Sequence, residues 1–300
     1  MGKIIKLNPF ISKKVWGGKR LAKLKNLNQT DDSEPIGETW EVSTHSAGSS
    51  FLGEAKLSSV CELSYLVKFI DTSANLSIQV HPDEEYAKEH EDSRGKTECW
   101  IILDAKKGAG IYLGFKKGVT KKEFFTAVAS GMQVDKYLNF IPVKTGDFFF
   151  IPAGSIHAIG NDITLCEVQQ SSGITYRVWD WNRMGMDGKP RELHVEKAKD
   201  VCQFSDSFND QLLAYSKNNL LDLIGISTIA EHDDFNIQIF SNLTQKDMEL
   251  TLKDKDSLIV LRGSIAGDIK LSALDCGIVL EAGTFDLKVE SGTSFLVVSE

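Results

Sequence analysis

Long apolar runs are absent from this chain of 300 residues. No stretch reaches the 18 consecutive apolar residues that would indicate a membrane-spanning helix. Residues 1–7 contain neither an extended apolar segment nor a signal cleavage site, so we expect no secretory signal. The sequence therefore predicts a cytoplasmic protein with no membrane partner.

Cysteine is scarce and is not clustered. The cysteines are odd in number, widely spaced and mostly set in apolar stretches: Cys61, Cys99, Cys166, Cys202 and Cys276. No two of them form the Cys-x-x-Cys pair of a thiolate zinc site. This usage predicts buried, reduced thiols in a reducing compartment.

Positive charge is also in short supply, because 34 Lys and Arg residues face 42 Asp and Glu residues and leave a net charge of −8. A nucleic-acid-binding protein needs a basic face, so this class of partner is excluded. A small anionic substrate stays compatible with the charge, because a pocket needs only a few local cations to bind one.

β-Strand patterns dominate the sequence. Short apolar runs alternate with Gly, Asp or Asn turns, a spacing that is typical of sandwiches and barrels. Strands are predicted over residues 39–44, 64–70, 98–103, 110–114, 148–152, 156–159 and 162–169.

Helices are fewer. Thr120 and Glu123 form a capping box for a helix that runs to Ser130 and stops before Gly131. Shorter helices are expected over 83–91 and 134–140, and residues 210–217 are ambiguous.

One turn-and-strand pattern resembles the second motif of cupins. Gly146-Asp147 begins an apolar strand, Pro152 ends it, and Gly154 turns the chain so that His157 can point into a barrel. After residue 235 short strands and Gly-containing turns continue, but the metal-type histidines are missing. We therefore predict a mainly β protein. Residues 1–230 would form a cupin-type jelly-roll β-barrel with a small helical insertion near 118–141, and residues 231–300 a smaller cupin-like β-sandwich without a metal site.

Candidate metal ligands follow from the two-residue period of a strand. Ser77, Gln79 and His81 share one face of the segment 77–82, and aliphatic residues occupy the other face. A barrel interior that holds a polar ligand and a solvated outer face both explain this alternation.

Two further positions strengthen the metal interpretation. Glu98 begins an apolar strand, where it needs a partner such as a metal or the neighbouring Lys96. His157 follows the cupin-like turn, although a lone His near an apolar run is more often a core residue. Two His, one Glu and an amide oxygen would suit Zn²⁺, with Mn²⁺ or Fe²⁺ as alternatives, but spacing does not establish Gln79 as a ligand.

The segment Tyr176-Arg177-Val178-Trp179-Asp180-Trp181 is a further candidate. It reads either as a packed aromatic strand with an exposed Arg, or as an Arg held beside a metal to bind an anion. Lys96 and Arg183 could add positive charge. The remaining histidines sit among polar neighbours and are expected on the surface: His45, His90, His194 and His232.

Taken together, these residues resemble the type I mannose-6-phosphate isomerases in their short bacterial form. The matching segments span residues 15 to 185: Val15–Gly18, Gly37–Ser43, Gln79–Ala87, Gly95–Trp100, Ile151–Ala158 and Thr175–Asp180. The resemblance implies a two-domain cupin protein with one catalytic zinc. It also implies zinc ligands at Gln79, His81, Glu98 and His157, a catalytic Arg177, and substrate contacts at Ser77, Lys96 and Arg183. Ile159 departs from the family, because longer members carry a Tyr there.

The implied activity is the interconversion of mannose 6-phosphate and fructose 6-phosphate through a cis-enediol, by a monomer or weak homo-oligomer. One alternative is another metal-dependent cupin enzyme, such as a sugar epimerase or an iron oxygenase. Another is a non-catalytic sugar-binding cupin, in which the ligand set would be degraded.

Overall fold

The computed structural model describes residues 2–27 and 35–300. Their strands are β1 (Lys3–Lys6), β2 (Phe10–Gly18), β3 (Ile36–Val42), β4 (Phe51–Leu52), β5 (Ala55–Lys56), β6 (Tyr65–Asp71), β7 (Ile78–Val80), β8 (Glu98–Ala105), β9 (Gly110–Phe115), β10 (Leu138–Pro142), β11 (Phe148–Ile151), β12 (His157–Ile159), β13 (Ile163–Gln170), β14 (Tyr176–Trp179), β15 (Gly225–His232), β16 (Phe235–Leu243), β17 (Lys246–Leu252), β18 (Ser257–Arg262), β19 (Ser264–Ala266), β20 (Lys270–Ser272), β21 (Cys276–Glu281), β22 (Gly283–Val289) and β23 (Thr293–Ser299). The α-helices are α1 (Arg20–Leu24), α2 (Glu84–Glu91), α3 (Lys121–Ala129), α4 (Val195–Val201) and α5 (Asp206–Ala214). No helix among these residues is both long and apolar enough to cross a membrane.

The strands form stacked layers. A five-stranded sheet in the order β10-β9-β12-β7-β14 faces a six-stranded sheet in the order β11-β8-β13-β6-β3-β2. A second six-stranded sheet, β1-β21-β18-β23-β16-β15, covers the back of the first, and the four-stranded sheet β17-β22-β19-β20 covers the second in turn. On the far side, α3 and α4 pack against the outer face of the five-stranded sheet.

The central six-stranded sheet is buried on both faces, and side chains alternate between two environments. In β6, Tyr65, Val67 and Phe69 pack against the C-terminal sheet, whereas Ile70 belongs to the core between the first two sheets. In β8, Cys99 and Ile101 likewise face the C-terminal sheet. Residues with the opposite parity therefore point toward the interior of the first sandwich.

The predicted strands are confirmed, with bounds that shift by at most three residues. The helix beginning after Thr120 is confirmed as well, since the Thr120 hydroxyl accepts a hydrogen bond from the Glu123 amide. Asp83 caps α2 in the same way by accepting from the Tyr86 amide. Of the ambiguous residues 210–217, residues 210–214 lie in the helix α5, and Lys217 forms an isolated bridge with Phe148.

The predicted helix over 134–140 is wrong. Only Asp135–Tyr137 makes a single 3₁₀ turn, and the chain then enters β10. Strand pairing with β9 joins Phe140 to Tyr112 and Ile141 to Ile111. Backbone hydrogen bonds to a neighbouring strand thus outweigh a weak local helix preference.

The predicted division of the chain at residue 230 stays a prediction. One strand from the N-terminal side of this division belongs to the C-terminal sheet, because β1 pairs antiparallel with β21. Tyr65 also links the two parts: its buried hydroxyl donates to the Lys255 carbonyl at 2.7 Å and lies 2.7 Å from Ser257 Oγ.

We expect Tyr65→Phe to lower the free energy of unfolding by about 1–3 kcal/mol, because it leaves the Lys255 carbonyl and Ser257 hydroxyl without this partner. Chemical denaturation of both proteins measures the difference. Tyr112→Phe is the matched control, since the half-buried Tyr112 hydroxyl has no hydrogen-bond partner among the described residues. Equal losses in the two variants would contradict the assigned role of Tyr65.

Candidate metal centre

Three neighbouring strands bring polar side chains side by side inside the first sandwich. β7 lies between β12 and β14, and Gln79 is paired in register with both His157 and Arg177. Directly opposed residues on antiparallel strands project to the same face. Gln79, His157 and Arg177 therefore form one row across the five-stranded sheet.

Backbone hydrogen bonds fix the loops that carry the other polar groups. The Gly154 amide donates to the His81 carbonyl at 2.9 Å, and the Lys96 amide donates to the Pro82 carbonyl at 3.0 Å. Gly154 has φ +84, a conformation that favours glycine, so this residue permits the turn that precedes His157. The segments bearing His81, Glu98 and His157 are thus tied together at one point.

His81, Glu98 and His157 form a compact buried cluster. One potential ligand atom from each lies within 4.8 Å of the others. His81 Nε2 is 3.2 Å from Glu98 Oε1, and His157 Nε2 is 3.8 Å from Glu98 Oε2. All three side chains are almost fully buried.

Hydrogen bonds set the orientation of His157 and Gln79. His157 Nδ1 lies 3.0 Å from the Ser155 carbonyl, which accepts its proton and leaves the Nε2 lone pair facing the cluster. The Gln79 amide nitrogen is 3.2 Å from that Nε2. Rotation of the amide by half a turn would bring its oxygen to the same place.

Electrostatics favour the protonation states of a metal site. Burial lowers the pKa of His81 to about 3, and burial also lowers the pKa of His157, so both imidazoles are neutral near pH 7. Burial opposes ionisation of Glu98, but the positive charge of Lys96 is the first of the effects that outweigh burial and hold the Glu98 pKa well below its usual value. Lys96 Nζ is 2.8 Å from Glu98 Oε1.

The cluster also has unused hydrogen-bonding capacity. Both Glu98 carboxylate oxygens and His81 Nδ1 are buried, and no described residue gives them a hydrogen bond of good geometry. Buried polar atoms are normally paired, so these atoms indicate a missing partner. Two neutral imidazoles, an ionised carboxylate and a nearby amide fit a divalent metal ion.

A second buried network borders this cluster. Lys68 Nζ donates to Glu167 Oε1 at 3.1 Å and to Gln169 Oε1 at 2.6 Å. Trp100 Nε1 donates to the other Glu167 oxygen at 3.0 Å. Burial, followed by the nearby charge of Glu98, raises the pKa of Glu167.

A cavity of about 380 Å³ opens onto both groups. Charged residues line it: Lys14, Glu38, Lys68, Lys96, Glu98, Glu167, Arg177 and Arg191. An apolar wall contains Trp16, Ile70, Leu76 and Ile159. This combination is suited to a polar ligand that carries an anionic group.

Known proteins with similar sequences identify the family. No family model matches the chain. The mannose-6-phosphate isomerase of Streptococcus mutans is 40% identical over 224 aligned residues, which cover 68% of this chain and 69% of that protein. The chain belongs to the mannose-6-phosphate isomerase family. A second member, ManA of Bacillus subtilis, is 38% identical over an alignment of 214 positions that covers 65% of this chain and 66% of that protein.

The family fold extends over the whole chain. The crystal structure of mannose 6-phosphate isomerase from Bacillus subtilis superimposes with a TM-score of 0.81 at 28% identity and covers 99% of both chains. The resemblance to this isomerase family and the predicted mainly β, cupin-type fold are therefore confirmed.

Most residues that the family resemblance singled out lie at the site. The cavity is lined by Ser77, Gln79, Lys96, Glu98 and Arg177. His81 and His157 are buried and do not line it. Arg183 does not line it. Its guanidinium binds the Asp180 carboxylate and the Asn75 carbonyl.

Sequence reasoning missed several of the charged residues that line this cavity. Lys68 and Glu167 were overlooked, although a charged residue inside an apolar strand is the signal that had drawn attention to Glu98. Arg191 was also missed. It lies in an irregular segment between β14 and α4, where no periodicity indicates which side chains point inward.

We expect the protein to bind one divalent ion per chain through this cluster. His157→Ala should weaken metal affinity by more than about tenfold, because losing a group that merely hydrogen-bonds a ligand already costs that much. Metal titration monitored by calorimetry, with stoichiometry from elemental analysis, measures the effect. His90→Ala, on the exposed face of α2, is the control. Native metal affinity in the His157→Ala variant would show that His157 is not a metal ligand.

Proposed function

We propose that this protein is a zinc-dependent aldose–ketose isomerase that interconverts mannose 6-phosphate and fructose 6-phosphate. The observation that carries the proposal is the buried His81–Glu98–His157 cluster at the base of a charged cavity, in a member of the mannose-6-phosphate isomerase family. Gln79, His81, Glu98 and His157 would hold the ion. Their mixture of nitrogen and oxygen donors favours zinc.

A bound divalent ion would act as a Lewis acid that polarises the oxygens on the two reacting carbons. The other steps of the reaction depend on side chains of the protein. The proton on C2 of the open-chain aldose is weakly acidic, so the reaction needs groups that stabilise negative charge as it develops on oxygen. Arg177 is next to Gln79 in the sheet and lines the cavity, which suits its guanidinium for this role.

The proposed proton carrier must line the cavity and change protonation readily. Glu98 is a poor choice, because its lowered pKa keeps it ionised. Glu167 is better suited, since its pKa is raised and its carboxylate lines the same cavity. Lys96 Nζ, 3.4 Å from His81 Nε2, could donate a hydrogen bond to a substrate hydroxyl, and Ser77 could do the same from the opposite sheet.

Arg183 remains a predicted substrate contact of the family resemblance. In the structure its guanidinium donates hydrogen bonds to the Asp180 carboxylate.

Five free cysteines, four of them buried, support the proposal of a reducing, cytoplasmic setting. We further propose a monomer or weak homo-oligomer.

The purified protein should convert mannose 6-phosphate to fructose 6-phosphate in a coupled assay. A chelator should abolish turnover, and added Zn²⁺ should restore it, because the metal supplies the Lewis acid. Activity that survives complete metal removal would exclude the metal from the mechanism. A metal-loaded protein that instead forms glucose 6-phosphate would be an epimerase, and one that binds the sugar without turnover would be a sugar-binding cupin.

Arg177→Ala should lower kcat about 100- to 1,000-fold, the usual effect of removing one preorganised group that stabilises an oxyanion. Its metal content should match that of the native protein. Arg94→Ala serves as the control, because Arg94 pairs with Asp234 and does not line the cavity. Undiminished turnover in Arg177→Ala would show that Arg177 has no catalytic part.

A further inference from the structure

Two arginines bind one carboxylate at the edge of the cavity, and the charge of that carboxylate also acts on a third arginine. Arg191 donates to Asp180 Oδ2 from Nε at 2.7 Å and to Oδ1 from Nη2 at 2.5 Å. Arg183 donates to Asp180 Oδ1 from Nε at 3.0 Å and from Nη2 at 2.8 Å. Arg177 precedes Asp180 by three positions, and the negative charge of Asp180 acts to raise the pKa of Arg177. Three guanidiniums and the Asp180 carboxylate leave an excess of positive charge here, which persists when the exposed Glu192, also acting on Arg177, is counted.

The two arginines that bind Asp180 differ in their remaining donors. Arg183 uses Nη1 as well, since that atom donates to the Asn75 carbonyl at 2.5 Å. Arg191 lines the cavity, and the described residues offer no hydrogen-bond acceptor to its Nη1. Arg191 is therefore the member of this pair that can bind a ligand in the cavity.

Arg177 is held against the same segment. Its Nη1 donates to the Glu192 carbonyl at 2.8 Å, and its own carbonyl accepts from the His194 amide at 2.7 Å. Its Nε is buried, and residues 2–27 and 35–300 offer it no acceptor. Burial, and next the charge of Arg191, lower the pKa of Arg177, so the two guanidiniums repel each other. Negative charge bound at Arg191 would relieve this repulsion.

Building on the proposed isomerase function, we infer that Arg191, aligned by Asp180, binds the phosphoryl group of a phosphorylated hexose. A phosphate monoester carries about 1.5 to 2 negative charges at pH 7, so the excess of positive charge here favours its binding. A guanidinium with two nitrogens fixed presents its remaining donors in a defined direction, which suits phosphate oxygens.

The rest of the cavity supports this location. Glu38, Glu98 and Glu167 line the other charged walls and would repel a phosphate, and each lies near a lysine that offsets its charge. A hexose 6-phosphate holds its reacting carbons and its phosphate at opposite ends. With the reacting end at the His81–Glu98–His157 cluster and beside Arg177, the phosphate would extend to Arg191, and Asp180 acts as a positioning residue.

Steady-state kinetics with mannose 6-phosphate test the role of Arg191. Arg191→Gln should raise KM about 10- to 100-fold, the effect of losing a hydrogen bond to a charged group, and leave kcat within about twofold. The inhibition constant of inorganic phosphate should rise in parallel. Arg191→Lys keeps the positive charge but loses the planar donor geometry of the guanidinium. Its KM should therefore lie between those of the native protein and Arg191→Gln. Arg94→Gln should match the native protein in both constants.

Asp180→Asn tests the positioning role. Alone it should raise KM less than Arg191→Gln does. Added to Arg191→Gln it should have almost no further effect on KM, because the group that it orients is already gone. Additive effects of the two substitutions would show that Asp180 acts independently of Arg191.

Native KM and native phosphate inhibition in Arg191→Gln would overturn the inference, as would a fall in kcat with unchanged KM. A native protein without isomerase activity would instead overturn the proposed function. Calorimetric titration of inorganic phosphate into native protein and Arg191→Gln then decides the inference by itself. Weaker binding by the variant supports it, and equal binding or none by either protein refutes it.

Discussion

The buried negative charge of Glu98 is the constraint on which the site depends. Moving a carboxylate out of water costs several kcal/mol unless other charges and hydrogen bonds compensate for it. Here Lys96 lies 2.8 Å away, two imidazoles face the same oxygens, and neither oxygen accepts a well-aligned hydrogen bond from the described residues. A divalent ion bound to Glu98 would therefore also supply the compensation that this buried charge lacks.

Sequence patterns predicted those parts of the site that local geometry determines. The alternation around Gln79 and His81, and the glycine turn before His157, each lie within a few residues and follow directly from strand geometry. The assignment of Gln79 as a ligand rested on family resemblance alone. Its place in register with His157 is consistent with that assignment and leaves it a proposal.

What could not be predicted depends on which strands become neighbours. Lys68 meets Glu167 because β6 pairs with β13, a register that no local pattern specifies. Arg191 reaches the cavity from an irregular segment that Asp180 and Arg177 hold in place. The helix expected over 134–140 failed for the same reason, since pairing with β9 decided the conformation there.

The pairing of β1 with β21 has a consequence for the order in which the molecule can assemble. The two partners are separated by about 270 positions, from Lys3–Lys6 to Cys276–Glu281. A ribosome must therefore add about 270 residues after β1 before this strand can meet its partner. Until then β1 is an unpaired strand that can associate wrongly, and the sheet behind the sandwich that contains the candidate metal site stays incomplete. Closure of this long-range contact is thus a late step in folding, with a high entropic cost.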